Sequence, residues 1–197
     1  ATYLAQNSGK RSITINLKSA EGVAVFKRLI KTADVIVENF RPGVMDRLGV
    51  GYEVLKDLNP NLVYCAISGF GQEGPLKSRP AYDQIIQGMS GTMSITGDAE
   101  SAPLRVGYPI ADTIGGITAA FAISAALAKQ DGKRGTFIDV SMLESVMCTM
   151  GFQISNYFNA NQEPQPMGNE NFTGSPSGTF QTGSGQINIA ANKQEQF

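Results

Sequence analysis

Ser12-Ile-Thr-Ile-Asn-Leu-Lys-Ser-Ala-Glu-Gly-Val-Ala-Val-Phe-Lys-Arg-Leu-Ile-Lys-Thr-Ala-Asp-Val-Ile-Val-Glu38 changes its hydrophobic period twice. From Ser12 to Leu17, Ile13, Ile15 and Leu17 alternate with polar residues, which is the period of a half-buried strand. Ser19 can cap a helix, and behind it Val23, Phe26, Ile30 and Ala33 recur at three and four residues. Lys27, Arg28 and Lys31 are left on the opposite face. Asp34 to Glu38 then reads as a second strand. Strand, helix and strand in so short a stretch predict a βαβ unit, with a right-handed crossover and a parallel sheet.

The same reading extends in the carboxyl-terminal direction. Asn39-Phe40-Arg41-Pro42-Gly43 is a turn by its Pro-Gly step, followed by two short helical patterns, Val44 to Leu48 and Glu53 to Leu58, closed by Pro60. Leu62 to Ile67 predicts a third strand. It runs into the glycine-punctuated loop Ser68 to Pro75, at the end of a strand where open α/β sheets bind their ligands. A helix is predicted from Tyr82 to Gly91, loop with short strands from Thr92 to Arg105, and a helix rich in small residues from Asp112 to Lys129. Gly132-Lys133-Arg134-Gly135 turns the chain into a strand from Thr136 to Val140. Ser141 and Glu144 form an S-x-x-E capping box, and Leu143, Val146, Met147, Met150 and Ile154 carry that helix to Phe158. Residues 159–177 are polar, and Gly178 to Gln181 with Gln186 to Ala191 suggest a hairpin. The expected organisation is a large α/β domain over residues 1–158, a linker over 159–177, and the beginning of a smaller domain over 178–197.

Composition narrows the chemistry. The 197 residues contain no His and no Trp, so these residues supply neither a Ser-His-Asp triad nor a histidine-ligated metal. No metal site is expected. Neither of the two cysteines, Cys65 and Cys148, has metal-like or CxxC spacing, and both are expected to be buried thiols in a cytoplasmic protein. A net charge of -1 argues against a nucleic-acid partner, and the apolar run Ile117 to Ala128 is too short to cross a bilayer, so no membrane association is expected. Charge is nevertheless uneven. Residues 1–47 hold eight Lys and Arg against four Asp and Glu, making the first quarter the natural place for an anionic ligand.

Lys10, Arg11, Lys18, Arg41 and Arg47 lie near predicted strand ends and turns, from which they either converge on phosphates or stand as solvated surface charge. Gly9-Lys10-Arg11-Ser12 leads into a predicted strand and lacks the upstream glycine of a phosphate loop. No GxGxxG follows the first strand, so a dinucleotide site is unsupported. Asp112 precedes the small-residue helix. It reads either as a helix cap or as a carboxylate kept ionised by the helix dipole beside Gly115 and Gly116, where a ligand can approach closely; an ionised carboxylate there can be a nucleophile. Tyr82 and Asp83 start another helix near the glycine loop, with packing and capping as their ordinary roles.

Together these motifs resemble the family III CoA-transferases, the group that includes formyl-CoA transferase and crotonobetainyl-CoA transferase. The resemblance runs through Asn7 to Lys18, Asp34 to Gly43 with Asp46-Arg47-Leu48-Gly49, Ser68 to Pro75, Arg79 to Asp83, Gly88 to Gly91, Asp112, and Gly132 to Val140. It implies a Rossmann-like parallel sheet, with the start of a second, smaller domain, in an interlaced homodimer. It places the family's nucleophilic aspartate on Asp112. The CoA-contacting segments fall on Ile15, Asn16, Leu17 and Lys18; on Asn39, Phe40 and Arg41; on Arg47 and Leu48; and on Arg79, Pro80, Ala81 and Tyr82. The implied reaction moves coenzyme A from an acyl-CoA to a small carboxylic acid through an aspartyl anhydride and an aspartyl-CoA thioester. Coenzyme A is then a substrate, and no tightly bound cofactor is expected. The family also includes an α-methylacyl-CoA racemase that shuttles protons with a His-Asp pair. Tyr82-Asp83 stands at that place here, and a tyrosine of ordinary pKa, about 10, is a poor shuttle at neutral pH. Transfer is favoured over racemisation, and a CoA-binding protein without turnover is the non-enzymatic alternative. Family members are about twice this length, with further elements at both ends.

Overall fold

The computed structural model describes residues 2–129, 135–171, 174–191 and 193–196, so the basic turn read at 132–134 lies outside the described residues. The chain divides into two compact units, one formed by residues 1–66 with 123–138 and the other by 67–122 with 139–197.

In the first unit a short helix α1 (Thr2–Gln6) precedes α2 (Ala20–Ile30), which starts where its cap predicts: Gly22 N donates to Ser19 Oγ at 3.0 Å. Its apolar face closes a core of Ile30, Met45, Val50, Leu55, Leu62, Tyr64 and Ala66, with Val23, Phe26 and Ala33 packed against it. The far end of α2 is held by a side chain from elsewhere. Asn59 Nδ2 donates to the carbonyls of Ile30 at 3.0 Å and Ala33 at 2.8 Å, satisfying acceptors that a helix end leaves open.

Strand β1 (Val35–Glu38) pairs in parallel with β2 (Val63–Ser68), with Val35 opposite Val63 and Glu38 opposite Ala66, and α3 (Val44–Arg47) and α4 (Tyr52–Leu58) make the crossover. Strand β3 (Thr136–Ser141) completes the order β1-β2-β3. Central position explains why β2 is continuously apolar: Val63, Tyr64, Cys65 and Ala66 are all buried, as a strand covered on both faces requires. Tyr52, Tyr64 and Phe137 form an aromatic trio with centroids 5.0–5.7 Å apart.

The α/β expectation therefore holds, through a different βαβ unit. Residues 12–17 form no strand. Ile15 and Leu17 are half-buried, following the alternation, but Ile13 is 67% exposed and no backbone ladder flanks the segment among the described residues. Alternation decides which side chains can face a core. A strand also needs a hydrogen-bonding neighbour.

The second unit gathers around Ile86, Ala111, Met142, Val146 and Met150. It contains α5 (Asp83–Met89), a 3₁₀ turn at Thr92–Ile95 in place of the expected short strands, and the start of α6 (Ile110–Leu127). The helix predicted from the capping box is divided. Glu144 N donates to Ser141 Oγ at 3.2 Å to start α7 (Met142–Thr149), and after Met150 the chain begins α8 (Gly151–Ala160). The hairpin is β4 (Ser177–Thr182) against β5 (Gly185–Ala190), antiparallel. Cys65 is buried as expected, whereas Cys148 is exposed. By length and composition α6, with mean hydropathy 1.6 over 18 residues, is long and apolar enough to cross a membrane, which corrects the shorter apolar run read from the sequence. The core helix of a globular domain meets the same criterion.

Candidate active site

The residues expected to carry chemistry fall in both units. In the first, Ile15–Lys18 form a turn packed on the start of α2. Ser19 N donates to the Asn16 carbonyl at 3.1 Å, and Lys18 N donates to Asn16 Oδ1 at 3.0 Å. Gly22 makes this possible, because any Cβ there would overlap the Asn16 carbonyl oxygen. Asn39, Phe40 and Arg41 leave the end of β1 exposed to solvent, where Phe40 N donates to Glu38 Oε2 at 2.7 Å. Glu38 thus holds the segment in place, a role its position at a strand end did not reveal. Burial is the main reason its carboxyl is pushed above the usual range, with the Phe40 N–H opposing.

Gly43 then turns the chain into α3 at φ +79°, a left-handed conformation that glycine adopts freely, and a Cβ there would stand 3.3 Å from an Arg47 guanidinium nitrogen. The turn therefore presents Arg47 and Leu48 on the same short connection as Asn39–Arg41. No hydrogen bond or ion pair among the described residues joins that connection to Ile15–Lys18. Among the described residues the only ion pair is Lys56 with Glu53, at 2.8 Å, so Lys18, Arg41 and Arg47 have no carboxylate partner and their charge is available to an anion.

In the second unit, Arg79 and Pro80 are exposed, Ala81 packs on Gly69, and Tyr82 is 80% exposed at the N-cap position of α5. Gly69 has no room for a side chain against Ala81, which seats residues 79–82 on the first glycine of the loop after β2. That loop has its own anchors. Gly71 and Gly74 both take φ +84°, Gln72 N donates to Asp139 Oδ2 at 2.8 Å, and Leu143 N donates to the Gly69 carbonyl at 3.1 Å. Asp139 was not singled out in the sequence, since it lies within an apolar strand and only folding brings it to the loop.

Asp112 stands in the first turn of α6, exposed, and does not cap the helix because α6 begins two residues earlier, at Ile110. The capping role passes to Asp83, whose Oδ1 accepts from Ala111 N at 2.7 Å and Asp112 N at 3.4 Å. Gly115 lets α6 sit close to α7 and to the end of β2: a Cβ there would lie 3.2 Å from Met142 and 3.9 Å from Ile67. Asp112 is therefore placed on the helix that abuts the carboxyl end of the central strand. Its carboxyl is pushed above the usual aspartate value of 3.8, first by burial and then by the negative charge of Asp83. A carboxylate that stays basic, reaches solvent and is paired with no cation among the described residues keeps its lone pairs for an electrophile.

That environment has a thermodynamic signature. A raised folded pKa means that the native state holds the proton more tightly than the unfolded chain, so stability falls as the pH rises above 3.8. Asp112→Asn is expected to melt at a higher temperature than the parent at pH 7. Thermal melts across the acid range should show the difference closing as the pH drops below 3.8.

Three comparisons agree on what this arrangement is similar to. The model of the CoA-transferase family III matches residues 1–197. A succinate–glutarate CoA-transferase of Agrobacterium fabrum is 42% identical over 199 residues, covering all of this chain and 50% of the relative. An acetyl-CoA:oxalate CoA-transferase of Acetobacter aceti is 42% identical over 177 residues, covering 89% of this chain and 46% of that protein. The crystal structure of a CAIB/BAIF family protein from Brucella suis superposes with a TM-score of 0.86 at 39% identity, over 93% of this chain and 49% of that one. The chain thus spans about half the length of the relatives it matches. With a match along its whole length, this chain belongs to the CoA-transferase family III.

Proposed function

We propose that the complete protein transfers coenzyme A from an acyl-CoA to a carboxylic acid, with Asp112 as the covalent nucleophile. The observation that carries this reading is the Asp112 carboxylate in the first turn of α6, open to solvent on one side and partly desolvated on the other, its pKa raised by that desolvation and by Asp83. An Asp112 oxygen attacks the thioester carbonyl, the C–S bond breaks, and CoA leaves as the thiolate with an aspartyl acyl anhydride behind it. The thiolate then attacks the Asp112 carbonyl carbon, which releases the donor acid as a carboxylate and leaves an aspartyl-CoA thioester. An acceptor carboxylate attacks that thioester, and the thiolate, freed again, attacks the acceptor's acyl carbon to give the new acyl-CoA and restore Asp112. Protons balance without a histidine. Each tetrahedral intermediate bears an oxyanion, for which backbone N–H groups of the glycine loop 68–75 are the candidate donors, one such donor being worth about 3–4 kcal/mol.

Coenzyme A is bound in this reading by Ile15–Lys18, Asn39–Arg41, Arg47 with Leu48, and Arg79–Tyr82, and its phosphates pair with Lys18, Arg41 and Arg47. Arg47→Ala is expected to weaken CoA binding about tenfold at low ionic strength and less at high salt, read by calorimetric titration. The names of the relatives bring small dicarboxylic acids forward as acceptors. We further read residues 1–158 as the large domain, 159–177 as a linker and 178–197 as the start of a smaller one, in a cytoplasmic homodimer; the exposed Ile117 and Phe121 of α6 support an interface there.

The test is to incubate the complete protein with succinyl-CoA or acetyl-CoA and isotopically labelled acids, quench with hydroxylamine, and examine the peptide containing Asp112. A hydroxamate on Asp112, with label appearing in the acyl-CoA, is the expected result. Loss of α-deuterium from a branched acyl-CoA without acid exchange would make the protein a racemase, and binding without either would make it a non-catalytic CoA binder.

A further inference from the structure

Gln87 is completely buried beside Ile86, an unusual place for a primary amide, and both ends of its amide are used. Its Oε1 accepts from Val106 N at 2.8 Å, while Nε2 donates to Asp83 Oδ2 at 2.6 Å and to the Tyr108 carbonyl at 3.4 Å. The other oxygen of Asp83 takes the N–H groups of Ala111 and Asp112. One turn of α5 thus holds the chain from Val106 to Asp112. Nothing local could do so: Gly107-Tyr-Pro-Ile-Ala111 contains no Ser, Thr, Asn or Asp to cap α6.

We propose that Asp83 and Gln87 are positioning residues for the Asp112 carboxylate, fixing through the backbone of the first turn of α6 the place from which it attacks the thioester. The proposal rests on the reading of Asp112 as the nucleophile and extends it to residues that touch no substrate. A misplacement of about 1 Å at a reacting group can cost about a hundredfold in rate, so a clamp on the attacking residue's own N–H acts on the chemical step more than on binding. The hydrogen-bond directions make the pair testable. In Asp83→Asn the new amide would set its donor nitrogen against the Gln87 Nε2 donor, and flipping Gln87 would in turn oppose Val106 N with a donor. In the double variant Asp83→Asn with Gln87→Glu, the amide introduced at position 83 donates to the carboxylate introduced at position 87. The second oxygen of that carboxylate still accepts from Val106 N, the amide oxygen at position 83 still accepts from Ala111 N, and only the long contact to Tyr108 is lost.

The experiment compares kcat, KM for acyl-CoA and hydroxylamine-trapped acyl-Asp112 in the complete protein for the parent, Asp83→Asn, the double variant and Asp112→Asn, each checked by thermal melt. Asp83→Asn is expected to lower kcat and the trapping rate about 10- to 100-fold, with KM within about threefold, and the double variant to recover about tenfold of the loss. A kcat for Asp83→Asn within about twofold of the parent, or no recovery in a folded double variant, would overturn the proposal. If Asp83→Asn does not fold, the double variant decides: kcat within about tenfold of the parent supports the clamp, and a folded double variant slower by more than about tenfold rejects it. Asp112→Asn separates the two claims. Normal exchange by that variant overturns the nucleophile and the clamp together, whereas an inactive Asp112→Asn beside a fully active Asp83→Asn rejects the clamp alone.

Discussion

Replacing Asp112 with Ala is expected to reduce CoA exchange by about 10³-fold or more while leaving the affinity for coenzyme A within about threefold. The asymmetry follows from where the side chain stands. Asp112 is exposed though partly desolvated in the first turn of α6, makes no side-chain hydrogen bond among the described residues, and sits beside another carboxylate, so its removal takes little from the packing. The residues expected to hold the nucleotide lie on other segments, Ile15–Lys18 and Asn39–Leu48, each fixed by its own turn. Single-turnover exchange with labelled acid, alongside calorimetric CoA binding, checks both halves. Parent-like exchange by Asp112→Ala would eliminate covalent catalysis at this residue.

The second large effect is structural. Gly22→Ala is expected to destabilise the protein by about 1–3 kcal/mol and to weaken CoA binding, although helix propensity alone argues the other way. Gly22 lies in the first turns of α2, where alanine is favoured over glycine by up to about 1 kcal/mol. Opposing this, the new Cβ would overlap the Asn16 carbonyl oxygen, a backbone atom that cannot rotate aside as a side-chain tip would. Either α2 moves, or the Asn16 turn moves and takes Ile15–Lys18 with it. A lower Tm together with a raised Kd for CoA is the expected pair of results. A Gly22→Ala variant at least as stable as the parent would mean that the turn is loosely held.

Several features were legible before any coordinates. Ser19 and Ser141 cap the helices they announce, since an N-cap depends only on residues within one turn of it. Asp34–Glu38 and Leu62–Ile67 form β1 and β2 within a residue of their expected ends, because a bounded apolar run of that length has few other places to go. The segment 12–17 misled for a related reason. Its alternation is real, but the partner strand that would turn alternation into a ladder cannot be read from the segment itself. The helix expected to start at Asp112 starts two residues earlier, at Ile110, because helix propensity does not mark those two residues. Gln87 and Asp139 gave no signal. A glutamine in a helix and an aspartate in a strand are ordinary surface residues until the chain is folded, and what distinguishes them is a partner 19 residues away for Gln87 and 67 away for Asp139.

The sequence by itself determined the family, the caps, the strands β1 and β2, and the basic first quarter. All of these depend on residue identity and on spacings of a few residues. Only the tertiary structure decided that α3 and α4 make the crossover, that Asn59 holds the carbonyls of Ile30 and Ala33 at the end of α2, and that Asp83 and Gln87 secure the start of α6. Such contacts form when buried donors and acceptors from distant parts of the chain must find each other in the absence of water, and that pairing is a property of the packed core.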